Sequence, residues 1–366
     1  IGVYCMDFDD IIGQQAVKEQ LSHSLAEGRI AHAQLFSGPK GVGKLLLAIC
    51  YAQKLIGIHT LAHPDLHFVF PIIKSDQKDT CDDFVDEFRH LIETKHYFDS
   101  DDWYNSLKEE NKQGLIYEKE SGEIIRKLSL KSFSGGYKVM IIWQPEKMHP
   151  NCSNKLLKLL EEPPLKTVFL LVSDQPQTIL PTILSRCQQI RVPLLSDAEI
   201  TQALIAQGAD EQTATNIARI AMGSFLSAQK EIEQYAQTNR FFDYFVLLMR
   251  KAWLVGHRKD SAALTELREW SLKIADSMGR EKQKAFLQYA QKQVRENFVT
   301  NFHAPQIVYQ TAAEQEFSQK FAPIIHSHNA EKIMTELQKA EMQITQNGNA
   351  KIIFFDLCLQ MIVLIK

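Results

Sequence analysis

The chain has few of the features that mark several common protein classes. It contains only 6 cysteines in 366 residues, and none form a C-x-x-C pair. The sequence therefore predicts reduced thiols of a cytosolic protein, not a disulfide framework or a zinc ribbon. The longest apolar stretch, residues 352–365, is shorter than the about 20 residues of a membrane-spanning helix. Because it also includes Asp356 and Gln360, we expect a buried helix there.

No excess of charge of either sign is present. Lysine and arginine total 41 against 44 acidic residues, which gives a formal net charge of −3. A global field that draws the protein onto nucleic acid is excluded, so any DNA contact must be local or shared with partners. Residues 1–5 have neither a positive region nor an apolar run. We therefore expect no secretory signal, and Met6 is a candidate start.

The most informative motif is a glycine-rich loop between a predicted strand, residues 34–37, and a predicted helix, residues 44–56. Its sequence fits G-x-x-x-x-G-K, the pattern of a phosphate-binding loop. In such a loop, backbone N–H groups and the lysine contact phosphate oxygens. The candidate nucleotide-binding residues are Gly38, Gly41, Gly43 and Lys44.

Two groups that an ATPase needs are missing around this loop. Leu45 follows Lys44, where the motif requires a Ser or Thr hydroxyl to bind Mg²⁺. The predicted strand 139–142 runs into Trp143 and Gln144, where a carboxylate is expected. Asp174 and Glu146 are other acids of this region, but no motif spacing supports them as substitutes. The residues leave open whether nucleotide binds tightly, weakly or not at all.

The order of predicted elements indicates an α/β fold followed by an all-α region. Strands alternate with helices over residues 1–192, which predicts a parallel sheet with helices on both faces. Short helices over 193–238 predict a helical lid, and long amphipathic helices over 239–366 predict a separate helical domain. Residues 74–122 are acidic with interleaved aromatics, and we interpret them as a solvated helical insertion in preference to a binding patch. The leucines of residues 154–162 are assigned to the core.

Several short motifs together resemble the bacterial clamp-loader subunits of DNA polymerase III. The resemblance covers about the first 190 residues in specific motifs and the remainder only in architecture. These motifs are Ile12-Gly13-Gln14, His32 ahead of Leu35-Phe36-Ser37-Gly38-Pro39, His63-Pro64-Asp65, the Leu-rich residues 154–164 ending in Pro163-Pro164, and Leu184-Ser185-Arg186-Cys187.

Within that family the chain is similar to the delta-prime type. The resemblance implies an AAA+ fold without ATPase activity, with Arg186 as an arginine finger that acts in trans on a neighbouring subunit. Leu226 stands where the family's lid carries a sensor arginine, which agrees with a non-hydrolysing subunit. The four-cysteine zinc module of many members is absent, since only Cys50 and Cys81 lie in that region. No metal and no required cofactor are expected.

The resemblance also implies the partners and the cellular compartment. They are the gamma/tau and delta subunits of a clamp loader, with the sliding clamp and primed DNA contacted through the complex. A cytoplasmic location without membrane association is expected.

Two alternative functions stay open from the sequence. One is a catalytically active AAA+ ATPase of the helicase-loader or recombination type, with substitute metal ligands. The other is a general nucleic-acid-binding module that uses Lys127, Lys131 and Lys158. The balanced net charge makes this second alternative the weaker one.

Overall fold

The computed structural model describes residues 6–75, 77–108, 113–301 and 311–365. Contacts divide the chain into two units, Ile1–Ile232 and Glu233–Lys366. The boundary between them lies within one helix, Phe225–Arg258. The predicted divisions at residues 192 and 238 stay predictions.

A parallel sheet of five strands forms the centre of the first unit. The strands are Ala33–Ser37 (β1), Leu66–Val69 (β2), Lys138–Trp143 (β3), Thr167–Ser173 (β4) and Gln188–Arg191 (β5). Their spatial order is β2-β3-β4-β1-β5, and every pairing is parallel. All residues of β1, β3 and β4 are buried, as expected for strands covered by helices on both faces. This is the predicted AAA+ sheet.

The helices follow the strands in the alternating order that the sequence predicts. They are Gln15–Glu27 (α1), Lys44–Ile56 (α2), Val85–Lys95 (α3), Ser100–Ser106 (α4), Glu118–Ser129 (α5), Pro150–Glu161 (α6), Pro181–Leu184 (α7), Asp197–Ala206 (α8), Glu211–Ile220 (α9), Phe225–Arg258 (α10), Ser261–Ser277 (α11), Arg280–Thr300 (α12), Ala312–Phe321 (α13), Ala330–Thr345 (α14) and Ala350–Leu364 (α15). The predicted bounds of α2 are confirmed. Helix α6 ends ahead of Pro163 because a residue that precedes proline is disfavoured in the helical conformation.

The interpretation of residues 74–122 as a solvated insertion is wrong for its aromatic residues. Phe88 of α3 stacks on Phe70 with ring centroids 4.0 Å apart. Trp103 of α4 is fully buried, and its indole Nε1 donates to the Pro71 carbonyl at 2.8 Å. The acidic residues of these short helices mark their outer faces, while the aromatic residues extend the core beyond the sheet. The segment is therefore an integral part of the first unit.

The lysines proposed for nucleic-acid binding are not equally available. Lys127 is buried, and its Nζ lies 2.5 Å from Asp82 Oδ1. An ammonium that is held in this way cannot reach a phosphate, so its assignment is corrected. Lys158 is exposed on α6, whose Leu156 and Leu160 are buried as predicted.

The second unit consists of helices in its described part. Helix α12 packs on α14, and α15 packs on both α11 and α14. The prediction that α15 is buried is correct for one face, which places Phe354, Leu357 and Met361 in the core. It is wrong for the opposite face, where Ile352 and Val363 are 68% and 65% exposed.

Two further findings concern membranes and thiols. None of the helices in the described ranges is both long and apolar enough to traverse a bilayer. The side chains of Cys50, Cys81, Cys152, Cys187 and Cys358 are buried and do not form disulfides. Burial raises the pKa of Cys187 to about 11, so this thiol stays protonated at neutral pH.

Candidate functional site

The predicted phosphate-binding loop joins the carboxyl end of β1 to the amino end of α2. Gly41 and Gly43 both adopt positive φ, at 80° and 90°. These angles favour glycine because other residues strain there. A methyl group at Gly41 would lie 2.3 Å from Ser224 Oγ. Glycine is therefore favoured at this position both by the backbone angle and by the close packing.

Lys44 is folded back onto its own loop. Its side chain is only 4% exposed, and its Nζ donates to the carbonyl oxygens of Gly38, at 2.8 Å, and Pro39. The same Nζ lies 2.8 Å from Asp174 Oδ1. Burial lowers the pKa of Lys44, and the charge of Asp174 opposes that shift. The Lys44 ammonium, which would contact a nucleotide phosphate, thus already has hydrogen-bond acceptors and a counter-charge within the chain.

Asp174 is therefore brought to the loop, although no spacing in the sequence supported it. It directly follows β4, which is the neighbour of β1, and parallel strands bring their carboxyl ends to one edge. Glu146 lies behind Asp174, where its Oε1 accepts from the Asp174 backbone N–H at 3.3 Å. Burial raises the pKa of the Glu146 carboxyl. The position of Asp174 beside the loop follows from the order of the strands in the sheet, which a linear motif does not encode.

The end of β3 carries Trp143 and Gln144 at the place where an ATPase has a metal-binding acid. Trp143 is buried, and it lines the cavity beside the loop. The Gln144 side-chain amide donates to Ser100 Oγ at 2.7 Å. The carboxyl end of β3 is thus packed against the start of α4.

The cavity beside the loop is small, and it adjoins a cavity of about 530 Å³ with which it shares Leu46, His96 and Tyr97. Its volume is about 40 Å³, and its lining includes Lys40, Gly43, Lys44, Tyr97 and Trp143. Small-molecule sites are typically about 300–1,000 Å³, and a water needs roughly 10–15 Å³. The space at Lys44 alone therefore does not hold a nucleotide, and this lysine is already paired with Asp174.

Tyr97 forms one wall of this cavity. It belongs to residues 96–102, which we call the closing segment and which span the end of α3 and the start of α4. The Tyr97 ring lies 3.3 Å from where a methyl group on Gly43 would be, and its hydroxyl accepts from Ile12 N at 3.1 Å. Burial raises the pKa of Tyr97 to about 12, so the phenol stays neutral.

Asp99 of the closing segment joins two lysines from distant parts of the chain. Its Oδ2 lies 3.0 Å from Lys40 Nζ in the loop and 2.7 Å from Lys230 Nζ in α10. The Asp99 side chain is 4% exposed. Burial alone would raise the pKa of this carboxyl, but the hydrogen bonds from Lys230, Asp102 N and Lys40 hold it well below its usual range. Asp99 is therefore ionised at neutral pH.

The start of α10 contacts the loop directly. The Phe225 backbone N–H donates to the Gly41 carbonyl at 3.0 Å, and the Phe225 ring lies edge-on to Tyr97 with centroids 5.0 Å apart. Leu226, at the position of the family's sensor arginine, is buried beside Gly41. The sensor arginine of the family is therefore replaced by a buried apolar side chain that packs against the loop.

Arg186 lies at the opposite edge of the sheet. It precedes the amino end of β5, and since Ser37 pairs with Arg191, Gly38 lies at the opposite, carboxyl end of these paired strands. Its guanidinium is partly exposed, with Nη2 2.6 Å from Glu161 Oε1 and Nη1 donating to the Thr182 carbonyl at 2.9 Å. Arg186 therefore cannot act at the loop of its own chain.

The structure brings together residues that the sequence did not single out, chiefly Tyr97 and Asp99. A local signal for Asp99 exists, because Asp99 and Asp102 form a capping box at the start of α4. That pattern predicts a helix start but not the two lysine partners. Among the described residues, no three His, Cys, Asp or Glu side chains come together as metal ligands.

Comparison with known proteins shows where the chain belongs. Residues 13–196 match the family model described as DNA polymerase III, delta subunit. The chain is 29% identical to DNA polymerase III subunit delta' of Bacillus subtilis over 57% of its length and 56% of that protein's. It is 31% identical to the subunit of the same name from Pseudomonas aeruginosa over 59% and 60%.

A third relative carries a different subunit name. The chain is 29% identical to DNA polymerase III subunit tau/gamma of Haemophilus influenzae over 54% of its own length and 25% of that protein's. The matched part thus spans between a quarter and three fifths of these curated relatives. Because the family model covers half of the chain, the chain belongs to the DNA polymerase III delta subunit family, within the clamp-loader group that its motifs predict.

Proposed function

We propose that this chain is a delta-prime-type subunit of a bacterial clamp loader that does not hydrolyse ATP itself. It donates Arg186 to the nucleotide site of a neighbouring gamma/tau subunit and helps to load the sliding clamp on primed DNA in the cytoplasm. The observation that carries the proposal is the contrast between its two sheet edges. The loop cavity is about 40 Å³, whereas Arg186 is partly exposed at the other edge.

The geometry around Arg186 suits action on a neighbour. An arginine that stabilises transition-state charge in trans must leave its own subunit, and such fingers raise rates by about 10³–10⁵ in other nucleotide hydrolases. Its bonds to Glu161 and Thr182 are made near the surface, where ion pairs are worth little and exchange readily. These contacts orient the guanidinium, but they are weak enough to be replaced by contacts with a neighbouring subunit.

The exposed face of α15 supports a role of the second unit in assembly. Ile352, Leu359 and Val363 lie on one side of this helix at spacings of seven and four residues, and each is exposed. Apolar side chains at such spacings form the stripe with which helices pack on each other. We propose that this face contributes to the collar of the complex, which is the part formed by the C-terminal helical domains of this chain and of the gamma/tau and delta subunits.

The test is ATP hydrolysis by the reconstituted clamp loader with its clamp and primed DNA. We expect the Arg186→Ala loader to lose at least about tenfold of its DNA-stimulated rate, because one neighbouring site loses its finger. Arg126→Ala is the matched control, since Arg126 is an exposed arginine of the same unit that pairs with Glu123. An Arg186→Ala loader with an unchanged rate would refute the proposed role.

The alternative of an active ATPase has its own outcome in this test. The isolated chain is expected to show no ATP turnover, since Leu45, Trp143 and Gln144 supply neither the hydroxyl nor the carboxylate that would hold Mg²⁺. Turnover by the isolated chain that Lys44→Ala abolishes would favour the alternative.

A further inference from the structure

We propose that the closing segment, residues 96–102, is a built-in substitute for a nucleotide, which occupies the site beside the loop and ties the loop to α10. The inference concerns the isolated chain, so it holds or fails independently of the role of Arg186. It is argued from three contacts, each made by a different residue of the segment to a different wall of the site.

The first contact replaces a phosphate. Lys40, within the glycine-rich loop, and Lys230, in α10, both point at Asp99 Oδ2, at 3.0 and 2.7 Å. Lys230 also lies 3.7 Å from Asp102 Oδ2. Two cations from elements far apart in sequence converge on one anion, which is how proteins commonly hold a phosphate group. Here the anion is a carboxylate of the chain.

The second contact closes the space beside the loop. Tyr97 lines both the 40 Å³ cavity at Lys44 and a larger cavity of about 530 Å³, whose other lining residues include Ile12, Leu46 and Phe225. The phenol hydroxyl accepts from Ile12 N, and the ring meets Phe225 edge-on. The aromatic side chain thus lines two adjoining spaces that a single elongated ligand would have to span.

The third contact fixes the segment to the end of β3. Ser100 Oγ accepts from the Gln144 amide at 2.7 Å, and Lys147 Nζ lies 3.4 Å from the same oxygen. The segment therefore contacts the loop, the residues before α1, the end of β3 and the start of α10. We therefore expect the segment and a nucleotide to compete for this cleft.

A capping role alone does not account for Asp99. As N-cap of α4, Asp99 accepts from Asp102 N at 2.9 Å, and an asparagine would do this equally well. Capping requires no lysine partner, yet Asp99 has two. The change Asp99→Asn keeps the cap and removes the charge, so it separates the two roles.

The first test is hydrogen exchange of the isolated full-length chain, read at the amides of Phe225 and Leu226. Phe225 N–H donates to Gly41 O, so its exchange reports whether the start of α10 leaves the loop. We expect Asp99→Asn to speed exchange there by at least about threefold, the effect of losing weak, partly exposed ion pairs. Asp210→Asn is the matched control, because Asp210 caps α9 through Thr213 N. Equal exchange in the Asp99→Asn and wild-type proteins would overturn the proposal.

The second test measures binding of ADP and of ATP with Mg²⁺ by calorimetry. We expect no saturable binding to the wild-type chain at 1 mM nucleotide, about the weakest affinity such a titration resolves. The variant with both Tyr97→Ala and Asp99→Ala is expected to bind ADP with a Kd at least about tenfold below that 1 mM limit. Saturable binding to the wild type, or a folded double variant that binds no better, would overturn the proposal. Circular dichroism and exchange at the buried strands of the first unit confirm that the variant is folded.

Discussion

The two edges of the sheet are built in opposite ways. At the carboxyl edge, Asp174 and Asp99 neutralise Lys44 and Lys40, and Tyr97 fills the space between the walls. At the amino edge, Arg186 stays partly exposed, with a surface glutamate as its partner. A phosphate-binding loop can thus persist as a structural turn while the distant edge carries the function that we propose.

A second aspartate organises the amino edge. Asp65 is buried just ahead of β2, and its carboxylate accepts from Phe133 N at 2.8 Å, from Ser134 N at 2.9 Å and from the hydroxyls of Ser132 and Ser134. It holds the turn that leads into β3. Asp65 thus binds backbone and hydroxyl donors of one nearby turn, whereas Asp99 binds two lysines from separate elements.

The largest effect is expected from a substitution in the core beneath the closing segment, at the carboxyl edge of the sheet. Trp103→Ala removes a fully buried indole and its hydrogen bond to Pro71 O. We expect the free energy of unfolding to fall by about 4 kcal/mol, as for large-to-small changes in a core. Urea denaturation followed by circular dichroism measures it. Phe133→Ala, at an exposed aromatic, is the control, and equal costs for both would contradict the burial of α4.

The next effect tests the amino edge. Asp65→Ala leaves four donors without their acceptor, two of them backbone N–H groups, and we expect a loss of about 3 kcal/mol. Asp65→Asn retains the side-chain size, so comparison of the two variants separates the volume of the side chain from its charge. Thermal and urea unfolding provide the measurement, and a loss below about 1 kcal/mol in Asp65→Ala would be inconsistent with the contacts described.

The same residue predicts a pH dependence. Burial raises the pKa of Asp65, but the hydrogen bonds from Ser134, Phe133 and Ser132 outweigh it, and the net shift is downward. A lowered pKa in the folded state means that the stabilisation is complete above the unfolded value, about 3.9. It is lost as the pH falls through the folded pKa. We expect Asp65→Asn to flatten the acid limb of the stability profile below about pH 4.

A smaller effect sharpens the picture of the closed edge. Gly41 and Gly57 have nearly the same φ, 80° and 78°, but a methyl group at Gly41 would clash with Ser224 and Leu226, while nothing lies within 4 Å at Gly57. Gly57→Ala is expected to cost about 1 kcal/mol for the backbone, and Gly41→Ala about 2–3 kcal/mol. The difference measures the packing of α10 on the loop. Equal costs in chemical denaturation would show that this packing is loose.

The smallest effect is expected at the surface of the amino edge. Glu161→Gln removes the ion-pair partner of Arg186, and because both side chains are partly exposed, stability should change by less than about 0.5 kcal/mol. The ATPase rate of the reconstituted loader should stay within about twofold. A loss as large as that in Arg186→Ala would mean that Glu161 itself positions the finger.

Local patterns predicted the elements but not the closing of the site. The glycine loop and helix α2 follow from short-range sequence, since their signals lie within a few residues. Strand β5 escaped prediction because only Ile190 of its four residues is buried, as at a sheet edge. The partners of Tyr97 and Asp99 lie 85, 59 and 131 residues away along the chain, at Ile12, Lys40 and Lys230. No motif encodes contacts of that separation.

The covalent attachment of Asp99 has a consequence for how the protein responds to its surroundings. A diffusible ligand occupies a site according to its concentration, but a tethered group has a local concentration fixed by the chain, in the millimolar range or above for short connections. On the proposal that Asp99 takes the place of a nucleotide, we expect the Lys40–Asp99–Lys230 link to persist when the ATP supply of the cell rises and falls. In metabolic terms, the cleft would then not report energy charge.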